Sequence, residues 1–151
     1  MRLESLLELR GIPFERHVHD VTYTSQELAE AEHVSGYMIA KPVIVKGWSG
    51  YAMCVVPASK RLDLTRAADA LHEPEVSLAH ESELARLFPG CELGAEPPVG
   101  GLFGMKTVMD RRLEQDEFLI MQSGTHSEAI KMRRRDYEDL CNPIVAPLTR
   151  S

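Results

Sequence analysis

At 151 residues, 44% hydrophobic and 26% charged, the chain has the make-up of one globular domain, long enough to bury most of the surface its unfolded form exposes. A net charge of −6 argues against broad, non-specific nucleic-acid binding and leaves only local basic patches, at Lys60-Arg61, Arg111-Arg112 or Arg133-Arg134-Arg135, for docking to a nucleic-acid end. No apolar run approaches the roughly 20 residues that cross a bilayer, no apolar stretch follows Met1-Arg2-Leu3-Glu4 as a secretory signal requires, and the scattered Cys54, Cys91 and Cys141 read as reduced thiols, so the cytoplasm is the expected compartment.

Leu3, Leu6 and Leu7 ahead of Gly11 predict an amphipathic helix over 2–10, and Pro13 introduces a short strand from Phe14 to Val18. Thr24-Ser25-Gln26-Glu27 has the form of a capping box, opening a helix that runs to about His33 and buries Leu28, Ala29 and Ala31. Pro42–Lys46 and Tyr51–Val56 are rich in β-branched residues and flank Gly47-Trp48-Ser49-Gly50, which predicts a β-hairpin. Lys41 then sits at the mouth of the first strand, on the face of Val43 and Val45.

Asp63 suits the cap of a helix over 64–71, followed by a strand at 75–78 and a helix over 81–88 that Pro89-Gly90 ends. Cys91 to Gly104 is dense in glycine and proline and reads as an irregular loop. Strands are expected at 105–109, 118–122 and 128–132, with a turn at Ser123-Gly124, and a last helix at 134–140. The fold class these elements imply is α+β: a mainly antiparallel, barrel-like β-sheet surrounded by helices, in a single domain over 1–151.

The familiar catalytic signatures are missing: no Gly-x-Ser-x-Gly elbow, no phosphate-binding Walker loop, no His-Glu-x-x-His helix. His17 and His19 share a strand face, and His126 would complete a metal set, the alternative being an exposed surface pair. What remains is one lysine beside a hydrophobic hairpin and one Gly/Pro-rich loop. By itself Lys41 also reads as a side chain that snorkels at a strand end, and the loop as an ordinary connection.

Taken together these segments resemble a known family. Lys41-Pro42-Val43-Ile44-Val45-Lys46, Val55-Val56-Pro57-Ala58-Ser59-Lys60-Arg61-Leu62-Asp63-Leu64, Val76-Ser77-Leu78-Ala79-His80-Glu81-Ser82-Glu83-Leu84, Gly94-Ala95-Glu96-Pro97-Pro98-Val99-Gly100 and Gln122-Ser123-Gly124-Thr125-His126-Ser127-Glu128-Ala129-Ile130 are similar, in this order, to the core of the YbaK / prolyl-tRNA-synthetase-associated editing domains. The resemblance implies a trans-editing aminoacyl-tRNA deacylase that removes a wrongly attached small amino acid, such as alanine or cysteine, from tRNA. It matches Lys41 to the family's essential lysine and Gly94–Pro98 to a Gly-x-x-x-Pro loop that cradles the aminoacyl ester. The substrate-binding set it implies is Gly94, Ala95, Pro98, Gly100 and Gly101, with Gly124, Thr125 and His126 from the glycine turn, although Gly124-Thr125-His126 departs from a strict Gly-x-x-His spacing.

Aminoacyl esters are labile, so such a site has to orient the ester and stabilise charge on its carbonyl oxygen more than supply a strong nucleophile. The expected route is substrate-assisted, with water or a ribose hydroxyl attacking while Lys41 and the loop amides position the ester. Pocket walls are expected from the Val43/Val45 face and from the neighbourhood of Met105 and Ile120, and pocket volume is expected to act as a sieve. No cofactor and no metal are implied. The implied partner is the acceptor end of mischarged tRNA, and whether a synthetase delivers it stays open. Two other readings stand beside this one: a non-catalytic module that binds aminoacyl-tRNA or a synthetase, and a metal-dependent hydrolase built on His17, His19 and His126.

Overall fold

A computed structural model describes residues 1–22 and 24–150. Helix α1 (Leu3–Leu9) turns Leu3 and Leu7 inward, and strand β1 (Glu15–Val18) follows it. Helix α2 (Ser25–Ala31) starts where the Thr24 hydroxyl accepts the Glu27 N–H at 3.0 Å. It buries Leu28 and Ala29 and stops short of His33, whose φ of +57° is incompatible with another turn. Ala31 is only half-buried.

Strands β2 (Ala40–Gly47) and β3 (Gly50–Pro57) form the expected hairpin, longer at both ends, with Lys41 inside the strand opposite Val56. Their turn is held from outside by Glu73, whose carboxylate accepts the N–H groups of Trp48 at 3.1 Å and Ser49 at 3.0 Å. Gly47 permits this approach, since a Cβ there would lie 2.9 Å from the Glu73 carboxyl carbon. Glu73 follows helix α3 (Leu64–Leu71), which Asp63 caps by accepting the Thr65 N–H at 2.9 Å. Then come β4 (Ser77–Leu78), α4 (Glu81–Leu87), β5 (Lys106–Asp110), β6 (Phe118–Gln122), β7 (Glu128–Arg133), α5 (Arg134–Cys141) and β8 (Ile144–Ala146). Short 3-10 turns occupy Gly36–Met38, Gly100–Phe103 and Arg111–Gln115.

The strands assemble into two sheets. The smaller, in order β1-β7-β6, is antiparallel; the larger, β4-β2-β3-β5-β8, is mixed, because β5 runs parallel to both β3 and β8. A single parallel bridge, Ile39 to Ile120, joins them, and among the described residues the sheets do not close into a barrel. The α+β class therefore stands, and most strand pairings are antiparallel as expected. They form one antiparallel and one mixed sheet, with no closed barrel among the described residues.

Strand β3 is buried on both faces and divides the interior. Met53 and Val55 point into the main core with Leu3, Leu7, Leu119, Met121, Ile130 and Tyr137, whereas Ala52, Cys54 and Val56 pack with Val108, Ala67 of α3 and Leu148. A third cluster, Leu28, Ala29, Ile39, Ala58, Ile120 and Ala129, seats α2 on the junction between the sheets. Tyr137 is fully buried, and its hydroxyl donates to the Pro98 carbonyl, tying α5 to the Gly/Pro-rich loop. Tyr137→Phe keeps the ring but orphans that buried carbonyl, so it is expected to lower unfolding free energy by about 1–2 kcal/mol in urea titrations.

Candidate active site

Among the described residues the outer edge of β2 is covered near its start by Ile120 and near its end by the Ser77–Ala79 segment. Ile39, just ahead of the strand, meets β6 through Ile120, while Val45 and Lys46 pair with β4 and the Ala79 N–H donates to the Ile44 carbonyl at 3.0 Å. Between these points Lys41, Pro42 and Val43 have β3 on one side and no strand on the other. With Ile44 they border a cavity of about 550 Å³ instead. Thr24, Ser25 and Gln26 at the start of α2 form one wall, Leu78, Ala79 and Leu84 another, and Ala58, Gly94 and Glu96 complete it.

Two ionisable side chains stand among these lining residues, Lys41 and Glu96. Burial of the Lys41 ammonium is the main cause that lowers its pKa, and the nearby Arg61 guanidinium adds to it. Glu96 is 5% exposed, and burial raises its carboxyl pKa, while hydrogen bonds from its own N–H and that of Gly94 and the proximity of His126 act in the opposite direction. The carboxylate thus engages two amides of the loop that the sequence assigned to orienting a substrate.

That loop is strapped to the turn between β6 and β7. The Gly124 N–H donates to the Ala95 carbonyl at 2.8 Å, and the Glu92 N–H donates to the Gly124 carbonyl at 2.8 Å. The His126 N–H reaches Glu92 Oε1 at 2.9 Å, and its ring Nε2 lies 2.7 Å from the Leu93 carbonyl, which requires the proton on Nε2. A Cβ on Gly94 would lie 3.5 Å from the His126 ring.

Of the residues expected at the site, Lys41 and Gly94 meet on the cavity. Ala95, Gly124 and His126 are buried behind it as the loop's support, and Thr125 and Pro98 are likewise outside the lining. Gly100 is buried against Thr107, whose hydroxyl accepts its N–H at 2.9 Å, and Gly101 is exposed; neither borders the cavity. Among the expected walls only Val43 takes part. Val45 belongs to the second core, Ile120 lies beneath α2, and Met105 faces a smaller cleft beside the hairpin turn. Sequence reasoning missed Glu96 and the Thr24–Gln26 wall. The signal for Glu96 was one acid inside the otherwise apolar run Ala95 to Val99.

The three histidines do not converge. His17 and His19 both turn to Glu32, His17 through a short hydrogen bond and His19 at 3.6 Å, whereas His126 is engaged beneath the loop. Among the described residues no group of three or more His, Cys, Asp or Glu side chains has the geometry to hold a metal. Burial pushes the Cys54 and Cys141 thiols up to about 12 and raises that of Cys91, so none is a thiolate near neutral pH. Of the basic clusters, Lys60-Arg61 is the one beside Lys41; Arg133 pairs with Glu117 at 3.7 Å and Arg134 with Glu138 at 2.9 Å. No helix among the described residues is long and apolar enough to cross a membrane.

A family model described as an aminoacyl-tRNA editing domain matches residues 19–140. Among solved structures, a hypothetical protein, APE2540, is 25% identical and superimposes with a TM-score of 0.89 over 98% of this chain and 99% of its own. A protein described as a candidate trans-editing enzyme for prolyl tRNA synthetase is 24% identical, with a TM-score of 0.85 over 99% of this chain and 95% of its own. A scaffold from a computational epitope-grafting study is 23% identical, with a TM-score of 0.83 over 98% and 94%. No curated protein sequence matches significantly.

The two loop glycines have opposite tolerances. A Cβ at Gly100 would lie 2.5 Å from the Thr107 hydroxyl and 2.7 Å from the Met105 carbonyl, whereas at Gly101 it would meet nothing within 4 Å. Gly100→Ala is therefore expected to cost about 1–3 kcal/mol in denaturant titrations, through overpacking, and Gly101→Ala to leave the midpoint unchanged.

Proposed function

Because the chain belongs to the aminoacyl-tRNA editing domain family, we propose that it is a trans-editing deacylase, hydrolysing the ester between tRNA and a wrongly attached small amino acid such as alanine or cysteine. The observation that carries this reading is the meeting of Lys41 and the Gly94 loop on one cavity at the open edge of β2. At about 550 Å³ the cavity has the size typical of small-molecule sites, enough for a terminal aminoacyl-nucleoside and far too small for the tRNA body. The acceptor end enters while the rest of the tRNA stays outside, the arrangement expected of an acidic protein that meets a polyanion locally. The proposed compartment is the cytoplasm, where such substrates arise.

In this mechanism a water oxygen attacks the ester carbonyl carbon, directly or with the help of the neighbouring ribose hydroxyl. The bond from that carbon to the ribose oxygen breaks, the ribose oxygen takes up one proton of the water, and the amino acid leaves as a carboxylate with the second proton released to solvent. Lys41 is half-buried, so its ammonium is worth more to the developing oxyanion than that of a fully solvated lysine, and the same burial lowers its pKa. Thr24, Ser25 and Gln26 offer further hydrogen-bonding groups from the opposite wall. The apolar remainder, Val43, Ile44, Ala58, Leu78, Ala79 and Leu84, sets the volume available to the amino-acid side chain.

The test is release of labelled amino acid from alanyl-, cysteinyl- and seryl-tRNA. Wild type is expected to deacylate at least one of them, and Lys41→Ala to lower kcat/KM by about 100-fold, as for loss of a transition-state donor. Tight binding of all three without release would make the protein a recognition module instead.

A further inference from the structure

Glu96 has no role in the chemistry as set out above, yet it occupies an unusual place. It is a carboxylate with 5% of its surface exposed, on the wall of a cavity whose other surfaces are largely aliphatic. Its loop is pinned from behind by the Gly124–Ala95 and His126–Leu93 hydrogen bonds, so the carboxylate cannot easily retreat into solvent. The amides of Gly94 and of Glu96 itself act on the carboxyl in favour of its charged form, against the larger effect of burial. The titratable groups that act on it or feel its charge from its surroundings are His126 and Cys91, and Lys41 lies on the same cavity.

An aminoacyl ester brings exactly one full positive charge with it, the α-ammonium. Taking that cation out of water is costly unless it meets a counter-charge and hydrogen-bond acceptors. Of the residues lining the cavity, Glu96 alone supplies a negative charge. Two amides satisfy part of its acceptor capacity and leave lone pairs for a further donor, since a carboxylate offers about four such sites. Burial, the largest influence on the carboxyl, raises its pKa, and the two amides and His126 act against that, as a bound cation would.

We propose that Glu96 is the specificity-determining residue for the α-ammonium of the bound amino acid, so that the cavity accepts aminoacyl groups with a free amine and rejects those whose amine is acylated. This deepens the deacylase reading and rests on it for the identity of the ligand. Acylation removes the charge and adds bulk beside a buried carboxylate, which is then left unpaired. An N-blocked ester of the same side chain is penalised twice.

The experiment has a turnover arm and a binding arm. Turnover compares alanyl-tRNA with N-acetyl-alanyl-tRNA, with the cysteinyl and seryl pairs alongside. Binding uses 3′-alanylamino-3′-deoxyadenosine, a non-hydrolysable amide, and its N-acetyl form, measured by calorimetry. Wild type is expected to prefer the free amine by about 100-fold in both arms, as for a desolvated charge pair. Glu96→Gln, which keeps an acceptor for the loop amides, is expected to bring that preference to within a few-fold by raising KM for the free-amine ester, with kcat retained. Glu96→Asp should recover part of the preference. Equal affinity of wild type for the two analogues overturns the proposal, and so does a Glu96→Gln variant whose kcat collapses with KM intact, which would make Glu96 a general base. If wild type releases nothing from any ester, the deacylase reading fails by itself, while the analogue pair still decides the role of Glu96.

Discussion

The site depends on a stretch of strand edge that no neighbour covers. A strand inside a sheet has both edges satisfied, and β2 is satisfied along β3 throughout. On its other side the Ser77–Ala79 segment reaches Ile44, Val45 and Lys46 and the small sheet touches Ile39, which leaves Lys41, Pro42 and Val43 uncovered among the described residues. Pro42, with no N–H to offer, sits in the interval between them, where a missing donor costs least. The cavity lies along this interval, walled by the start of α2, by Leu78, Ala79 and Leu84, and by the Gly94–Glu96 loop. Lys41 belongs to it because of register. A slip of one residue between β2 and β3 would carry Lys41 to the opposite face and Ala40 and Ile44 out of the main core. The Glu73 contact with Trp48 and Ser49, at the far end of the hairpin, is therefore part of what positions the lysine.

The other walls are brought in by contacts that span the chain. Packing of Leu28 and Ala29 against Ile39 and Ile120 fixes α2 over the sheet junction, and this points Thr24, Ser25 and Gln26 at the cavity. The Gly94 loop arrives from the opposite direction, held by the turn at Gly124–His126 and, further along, by Tyr137 under Pro98. The Tyr137 bond to the Pro98 carbonyl is buried, where an unmade bond is costly, and the His126 bond to the Leu93 carbonyl is part-buried. The loop lacks regular secondary structure, yet hydrogen bonds to the Gly124–His126 turn and to Tyr137 tie it to β6, β7 and α5.

How much of this could be read in the sequence follows from the range of the signals. Local ones were legible: the Thr24 cap, the β-branched hairpin, the Asp63 cap and the leucine spacing of α1 each state their element within a few residues. Parallel pairing was not, because β3 meets β5 only after an intervening stretch of some 50 residues, and burial on both faces looks alike in parallel and antiparallel strands. Strand β8, three residues of Ile144-Val145-Ala146 after a helix, carries too little periodicity to show. At the site, Lys41 and Gly94 were named through the family likeness. Gly100, Gly124 and His126 were named for the same reason and lie outside the cavity lining, since a motif records that a residue is present and not which side of the loop it faces. Glu96 escaped because a lone glutamate looks like surface until burial is known.

Both charged groups on the cavity are disfavoured in the same way. Burial lowers the pKa of Lys41 and raises that of Glu96, so the charged form of each is disfavoured where it stands. Arg61 makes matters worse for the lysine, and no carboxylate is among the causes acting on it. A ligand that carries a cation at one point and develops an anion at another relieves both at once. An aminoacyl ester undergoing hydrolysis is such a ligand, with its ammonium present from the start and its oxyanion appearing only as the bond changes. On this account the acid contributes to binding and the lysine to the rate, because an interaction accelerates a reaction only if it strengthens on the way to the transition state. The separation of those two duties follows from the chemistry of the substrate, and the fold supplies it by opening one strand edge between a lysine and a buried glutamate.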